Sequence, residues 1–277
     1  MATSGSRDFI HTRNSIIRAA LRKIGVVAEN QEPSPEQYSA GAETLNTLVK
    51  SLQTRGVFLW TLNNKDMALT SGKSTYDLSS DVIDIQDVFY REDGNDTYLE
   101  PITKEEYARK IDKDDSGDPS QYLLDKQITV PKLTLWRVPD KTTGVVVGTD
   151  SNNYKCIKSH TADSSNRPIT GASYATYWEQ TSTLSGSTWV SGTNYKSSIL
   201  YFTEVLKLQD FDSTGDNPDF PVKWSLALIY GLAFHLSFDY AVPERGDLEQ
   251  VFEREFALAL DSDKESANLY LGIRRRS

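Results

Sequence analysis

The chain has 277 residues, 38% of them hydrophobic and 25% charged, the make-up of an ordinary globular protein with room for one large domain or two smaller ones. A formal net charge of −9 argues against a protein that wraps DNA through many Lys and Arg contacts to phosphate. The one cysteine, Cys156, rules out a disulfide within the chain and a cysteine-built zinc site, and three histidines (His11, His160 and His235) leave little material for metal or acid–base chemistry.

No apolar run is long enough to span a bilayer. The stretch from Met1 to Arg13 is small and polar without a hydrophobic centre, so no secretory signal and no membrane anchor are expected, and folding in a host cytoplasm is the default. The charge is uneven. The chain closes on Arg274, Arg275 and Arg276, and without them the balance falls to −12. Such a basic tip on an acidic body suits docking on an acidic partner, or is a solvated tail.

Ile16, Ile17, Ala20, Leu21 and Ile24 recur at helical spacing, with Arg18, Arg22 and Lys23 between them and Gly25 as the stop. Ser34-Pro35-Glu36-Gln37 opens a second helix with an N-cap serine, a first-turn proline and a capping-box glutamine. Tyr38, Leu45, Leu48, Val49 and Leu52 form its apolar stripe, and it should run to about Arg55. Residues 82–90 then read as a strand, 91–96 as a turn and 97–99 as the returning strand. Thr103-Lys104-Glu105-Glu106 is a further capping box. Strands are expected near 122–124, 127–130 and 132–138.

From about Thr143 to Lys196 small polar residues and aromatics dominate, as in a small β module. Residues 198–208 read as a strong strand. Pro221 starts a helix that is apolar on most sides, from Trp224 to Phe238, and another helix begins near Pro243. Helices at both ends with strands between them predict an α+β fold. The expected form is a helical bundle of the N- and C-terminal helices, a β-rich middle and an inserted small β module. The boundaries are 1–142 plus 197–277 for a discontinuous main domain and 143–196 for the insert.

Three segments carry a resemblance. They are Ile17-Arg18-Ala19-Ala20-Leu21-Arg22-Lys23-Ile24-Gly25 with the Leu45–Val49 helix and Gly56-Val57-Phe58-Leu59-Trp60; then Leu133-Thr134-Leu135-Trp136-Arg137-Val138-Pro139-Asp140; then Phe220-Pro221-Val222-Lys223-Trp224 through Ala233. Their order and spacing resemble the head-to-tail adaptor family of short-tailed phages, also called connector, gatekeeper or tail-accessory proteins. The resemblance implies a non-enzymatic virion protein that needs no cofactor. It implies a ring, usually of twelve copies, that binds the portal, lengthens the channel for the passing genome without sequence-specific DNA contacts, and offers a platform to a tail or nozzle protein and to tail fibres. It also implies that the C-terminal tail, here Arg274, Arg275 and Arg276, reaches the portal. An acidic channel lining, which would keep DNA mobile, is the expectation drawn from the net charge.

Residues 143–196 depart from that family and are similar to small carbohydrate-binding β modules at Tyr154-Lys155-Cys156, Arg167-Pro168, Tyr177-Trp178 and Trp189 to Tyr195. Tyr177, Trp178, Trp189 and Tyr195 are therefore candidate contacts to host glycan or a tail fibre; alternatively they are the core of a module with few other apolar residues. Cys156 and His160 lack a visible third group to orient a base, and His235 suits a core or interface. Asp112 to Gly117 opens like a calcium loop, but Leu123 stands where the bidentate glutamate belongs. A cell-wall glycan hydrolase remains a third class, which would need a carboxylate pair at a set separation.

Overall fold

The computed structural model describes residues 9–56, 59–217, 219–243 and 245–263. In chain order its helices are α1 (Arg13–Lys23), α2 (Pro35–Gln53), α3 (Lys104–Arg109), α4 (Tyr174–Tyr177), α5 (Ser225–Asp239) and α6 (Arg245–Asp261). Its strands are β1 (Leu62–Ala68), β2 (Thr75–Asp77), β3 (Val82–Glu92), β4 (Asn95–Tyr98), β5 (Glu100–Pro101), β6 (Gln121–Asp125), β7 (Lys132–Trp136), β8 (Val145–Val147), β9 (Asn153–Cys156), β10 (His160–Thr161), β11 (Trp178–Thr181), β12 (Ser187–Thr188), β13 (Asn194–Tyr195) and β14 (Ser198–Leu206). The fold is mixed α+β, and the chain forms two compact units, Met1–Trp60 with Leu208–Ser277, and Thr61–Lys207.

In the first unit local signals set the helix ends. Thr12 caps α1 by accepting from the Ser15 amide, and Gly25 takes φ +73° just past its end. Ser34 and Gln37 form the reciprocal capping box of α2, with Pro35 in its first turn. Ile16, Ile17, Leu21, Leu45, Leu48, Val49 and Leu52 meet Trp224, Leu228, Leu232, Leu236, Phe252 and Phe256 in one core. Each large apolar side chain buried there contributes about 1.5–3 kcal/mol. Gly231 lets the helices close: a Cβ on it would sit 2.8 Å from Phe252 and 3.0 Å from Leu48. Pro221 precedes a 3-10 turn, Val222–Trp224, and α5 proper starts at Ser225.

The second unit has two four-stranded sheets, β1-β14-β3-β4 and β2-β7-β6-β5, around Leu69, Tyr76, Val82, Ile85, Val88, Tyr90, Leu133, Leu135, Leu200 and Phe202. β3 does not alternate simply, because its register against β14 shifts twice. At one shift Asp87 takes φ +49°, a bulge that turns Val88 and Tyr90 inward after Ile85. Residues 143–196 add a sheet β11-β9-β8-β12 and the pair β10-β13 over a small core of their own. At its neck Thr143 bridges Lys196, the Gly144 amide donates to the Lys196 carbonyl at 2.9 Å, and the Thr143 hydroxyl accepts from the Leu69 amide at 2.8 Å.

Several expected boundaries change. The β3–β4 turn is only Asp93-Gly94, both with positive φ, a combination that suits the twist of a tight hairpin. Residues 127–130 are the loop between β6 and β7 instead of a strand, with Ile128 97% exposed. β7 ends at Trp136 because Arg137 turns to φ +68°. β1 and β2 were not anticipated; β1 reads Leu-Asn-Asn-Lys-Asp-Met-Ala, polar because one face is open along an edge.

Candidate functional site

Three features of the described residues could carry function. The first is the aromatic cluster of the insert. β9 and β11 pair Cys156 opposite Trp178, and β13 brings in Tyr195. Trp178 is 3% exposed, donates its indole N–H to the Asn166 carbonyl at 2.7 Å, and stands edge-on to Tyr195 at 5.1 Å. Tyr195, 8% exposed, accepts from the Val190 amide at 3.0 Å. These two rings are core, so the expectation that they offer faces to a ligand is corrected. A module this small has few other side chains with which to exclude water. Tyr177 and Trp189 are half-buried at the margin of the same core, Trp189 beneath the Arg167 guanidinium at 5.3 Å.

Cys156 and His160 do meet, Sγ to Nδ1 at 3.6 Å. The His160 Nδ1 is also 2.8 Å from the Lys158 carbonyl, which fixes the ring without supplying a base. Burial pushes the Cys156 thiol up to about 12, so at neutral pH it carries no thiolate to act as a nucleophile.

The second feature lies on the open face of the β1-β14-β3-β4 sheet. The register sets Asp66, Tyr201, Phe89 and Tyr98 side by side across four strands. Phe89 and Tyr201 stack at 5.2 Å, Tyr98 is 69% exposed, and the Arg91 guanidinium lies 4.8 Å over Tyr201 while pairing with Asp96. At the end of this row Lys155 of the insert meets Asp66 at 2.9 Å, both side chains 9% exposed. Thr183 also donates to Asp66, and Glu179 stands 3.9 Å from the Lys155 ammonium. Between the insert and the sheet runs a groove of about 310 Å3 lined by Arg91, Ile157, Glu179 and Tyr201.

The third feature is in the helical unit. α5 is apolar nearly all round, so it cannot hide every side chain in one core. Leu226 (52% exposed), half-buried Phe234 and Phe238 (51%) lie along its outer side, Val222 (50%) stands in the turn before it, Tyr230 packs against the core under Lys23, and Leu258 of α6 is 60% exposed. A groove of about 550 Å3 follows α1, lined by Ala19 and Val27, by the cations Arg18, Arg22 and Lys23, by Glu29 and by His11.

His235 is exposed on α5 and edge-on to Phe234, outside the core. Arg274, Arg275 and Arg276 lie outside the described residues. Asp115 of the acidic turn pairs with Arg137, and among the described residues no group of three or more His, Cys, Asp and Glu could hold a metal. Among them also, no helix is long and apolar enough to cross a membrane. Sequence reasoning missed the aromatic row and the α1 groove. Both had a signal: Phe89 and Arg91 share strand parity, and α1 carries four basic residues and no acidic one. Compared with known protein families and with curated proteins, the chain matches none closely.

Proposed function

We propose that the chain is a structural virion protein, a head-to-tail adaptor that assembles as a ring beneath the portal of a tailed phage. The observation that carries this reading is the set of apolar side chains at Leu226, Phe234 and Phe238 on the outer side of α5, with Val222 in the turn before it. Isolated exposed apolar residues are ordinary, but a set along one helix suits burial against another protein surface. In a closed ring each copy buries such a face on its neighbours. The role is assembly, not turnover. Copies made in the host cytoplasm join the portal in the virion, about twelve to a ring, with the Arg274–Arg276 tail on the portal side. The other side takes a tail or nozzle protein and tail fibres, and the genome passes without sequence-specific contact.

Light scattering on the protein alone and mixed with portal rings tests this. A 31.1 kDa chain that joins the portal in ring stoichiometry supports the reading. Failure to join any portal refutes it.

One observation favours a second reading, recognition of host glycan. The 310 Å3 groove under the insert combines an aromatic ring, Tyr201, with the polar groups of Arg91 and Glu179, a mixture found in ligand sites. A glycan array probed with the whole protein separates the two, because no bound sugar leaves only the structural role.

A further inference from the structure

We infer that the groove along α1 is the socket for α6 of a second copy of this chain. The inference rests on the ring reading above and names the surfaces that meet. α1 has Arg13, Arg18, Arg22 and Lys23 and no acidic residue. Arg18 is paired with Glu32 at 2.7 Å, Arg22 donates to the Glu29 carbonyl at 2.6 Å and Lys23 lies over the Tyr230 ring; with Glu29 also lining the groove, Arg22 and Lys23 leave its rim only modestly basic. Ala19 and Val27 in the lining are apolar, so a neighbour must bring small apolar surface edged with carboxylates.

α6 presents that pattern. Glu249, Glu253, Ala257 and Asp261 are exposed and spaced four residues apart, so they form one stripe, acidic except for a small apolar residue that can approach closely, with Glu253 also paired to Arg55 of its own chain at 2.8 Å. The exposed Leu258 stands beside Ala257. α1 and α6 each pack on α5 but barely touch one another, so the basic groove and the acidic stripe are separate surfaces. A contact between two different patches is head-to-tail, and when its rotation closes it makes a ring and not a two-fold dimer.

The test is a charge exchange on the full chain, read by light scattering with portal rings at low salt. One variant carries Arg22→Glu with Lys23→Glu, a second carries Glu249→Lys with Glu253→Lys, and a third carries all four. All four positions are exposed, and circular dichroism verifies that each variant folds. Each two-site variant places like charges at every joint, and the concentration needed for assembly should rise at least about tenfold. The four-site variant restores opposite charges with the sides reversed and should assemble near the wild-type concentration. So should an equimolar mixture of the two-site variants, in alternation. The local losses, such as Arg55 with Glu253, persist in the four-site variant, so its recovery reports the contact between copies.

Wild-type assembly with no loss in the two-site variants overturns the socket and leaves the ring. Two-site variants that fail without recovery in the four-site variant also overturn it. Unchanged assembly with weakened retention of Arg22→Glu/Lys23→Glu on heparin assigns the groove to a polyanion instead. A wild-type chain that never assembles overturns both the ring and the socket.

Discussion

Replacing Asp66 by alanine would leave the Lys155 ammonium buried without its carboxylate. Removing one partner of a buried ion pair costs about 3–5 kcal/mol, because the other charge remains desolvated. Here Glu179 stays at 3.9 Å and the Tyr201 hydroxyl at 3.3 Å, which places the expected loss at the lower end, about 3 kcal/mol. The lost Thr183 hydrogen bond belongs to that sum. Such a loss is large beside the 5–15 kcal/mol that holds a typical domain together. Urea unfolding, followed in parallel by tryptophan fluorescence and far-UV circular dichroism, measures it where the two probes coincide. Asp66→Ala with Lys155→Met removes both charges and should recover part of the loss.

The pH dependence follows from the same pair. Burial works against the Asp66 carboxylate, but hydrogen bonds from Thr183 and Lys155 outweigh it and hold the group below the usual carboxylate range. Its stabilisation is complete above the unfolded value of about 4 and is lost as pH falls through the folded one. Burial likewise opposes the Lys155 ammonium, and Asp66 and Tyr201 outweigh it, raising that group. Its contribution is complete below about 10 and is lost as pH rises through the folded value. A loss below about 1 kcal/mol for Asp66→Ala, with no recovery in the double variant, would mean that water screens the pair.

Gly231→Ala should destabilise the helical unit by about 1–3 kcal/mol despite alanine's better helix propensity, since the added methyl meets Phe252 and Leu48; thermal unfolding reads this. Cys156 should resist a thiol-directed disulfide reagent at pH 8 in the native protein and react fully in denaturant, as its burial and raised pKa require. Ser34→Ala removes the side-chain acceptor for the Gln37 amide and should cost about 1 kcal/mol on the same unfolding curve.

The helices were legible because their signals are local. Ser34 with Gln37, Thr103 with Glu106, and Gly25 are each read within four residues, and each does its expected work. The strands were legible where alternation or bulk announced them, as in β14, and illegible where an edge strand is polar, as in β1. Residues 127–130 were misread because β-branched residues were weighed without their position between two paired strands. The aromatic row was hidden for a different reason. Tyr98, Phe89 and Tyr201 become neighbours only through register, and the bulge at Asp87 shifts that register. In the insert the residue types stood out, but aromatic content alone does not separate a core ring such as Trp178 from one at the margin such as Trp189.

The insert is tied to the sheets at its neck, Thr143 and Lys196, and beyond the neck by the pair between Lys155 and Asp66 and by the Ser159 amide donating to the Asp93 carboxylate at 2.6 Å. A module held only at its neck could swivel about that point, and copies of it would face every way. The ties beyond the neck remove this rotation. In every copy the module would then hold one and the same orientation on its own sheets. Whatever Tyr177 or Trp189 touches would meet identically presented contacts from copy to copy, so wherever copies gather, a feeble single grip could be multiplied into firm attachment through multivalency.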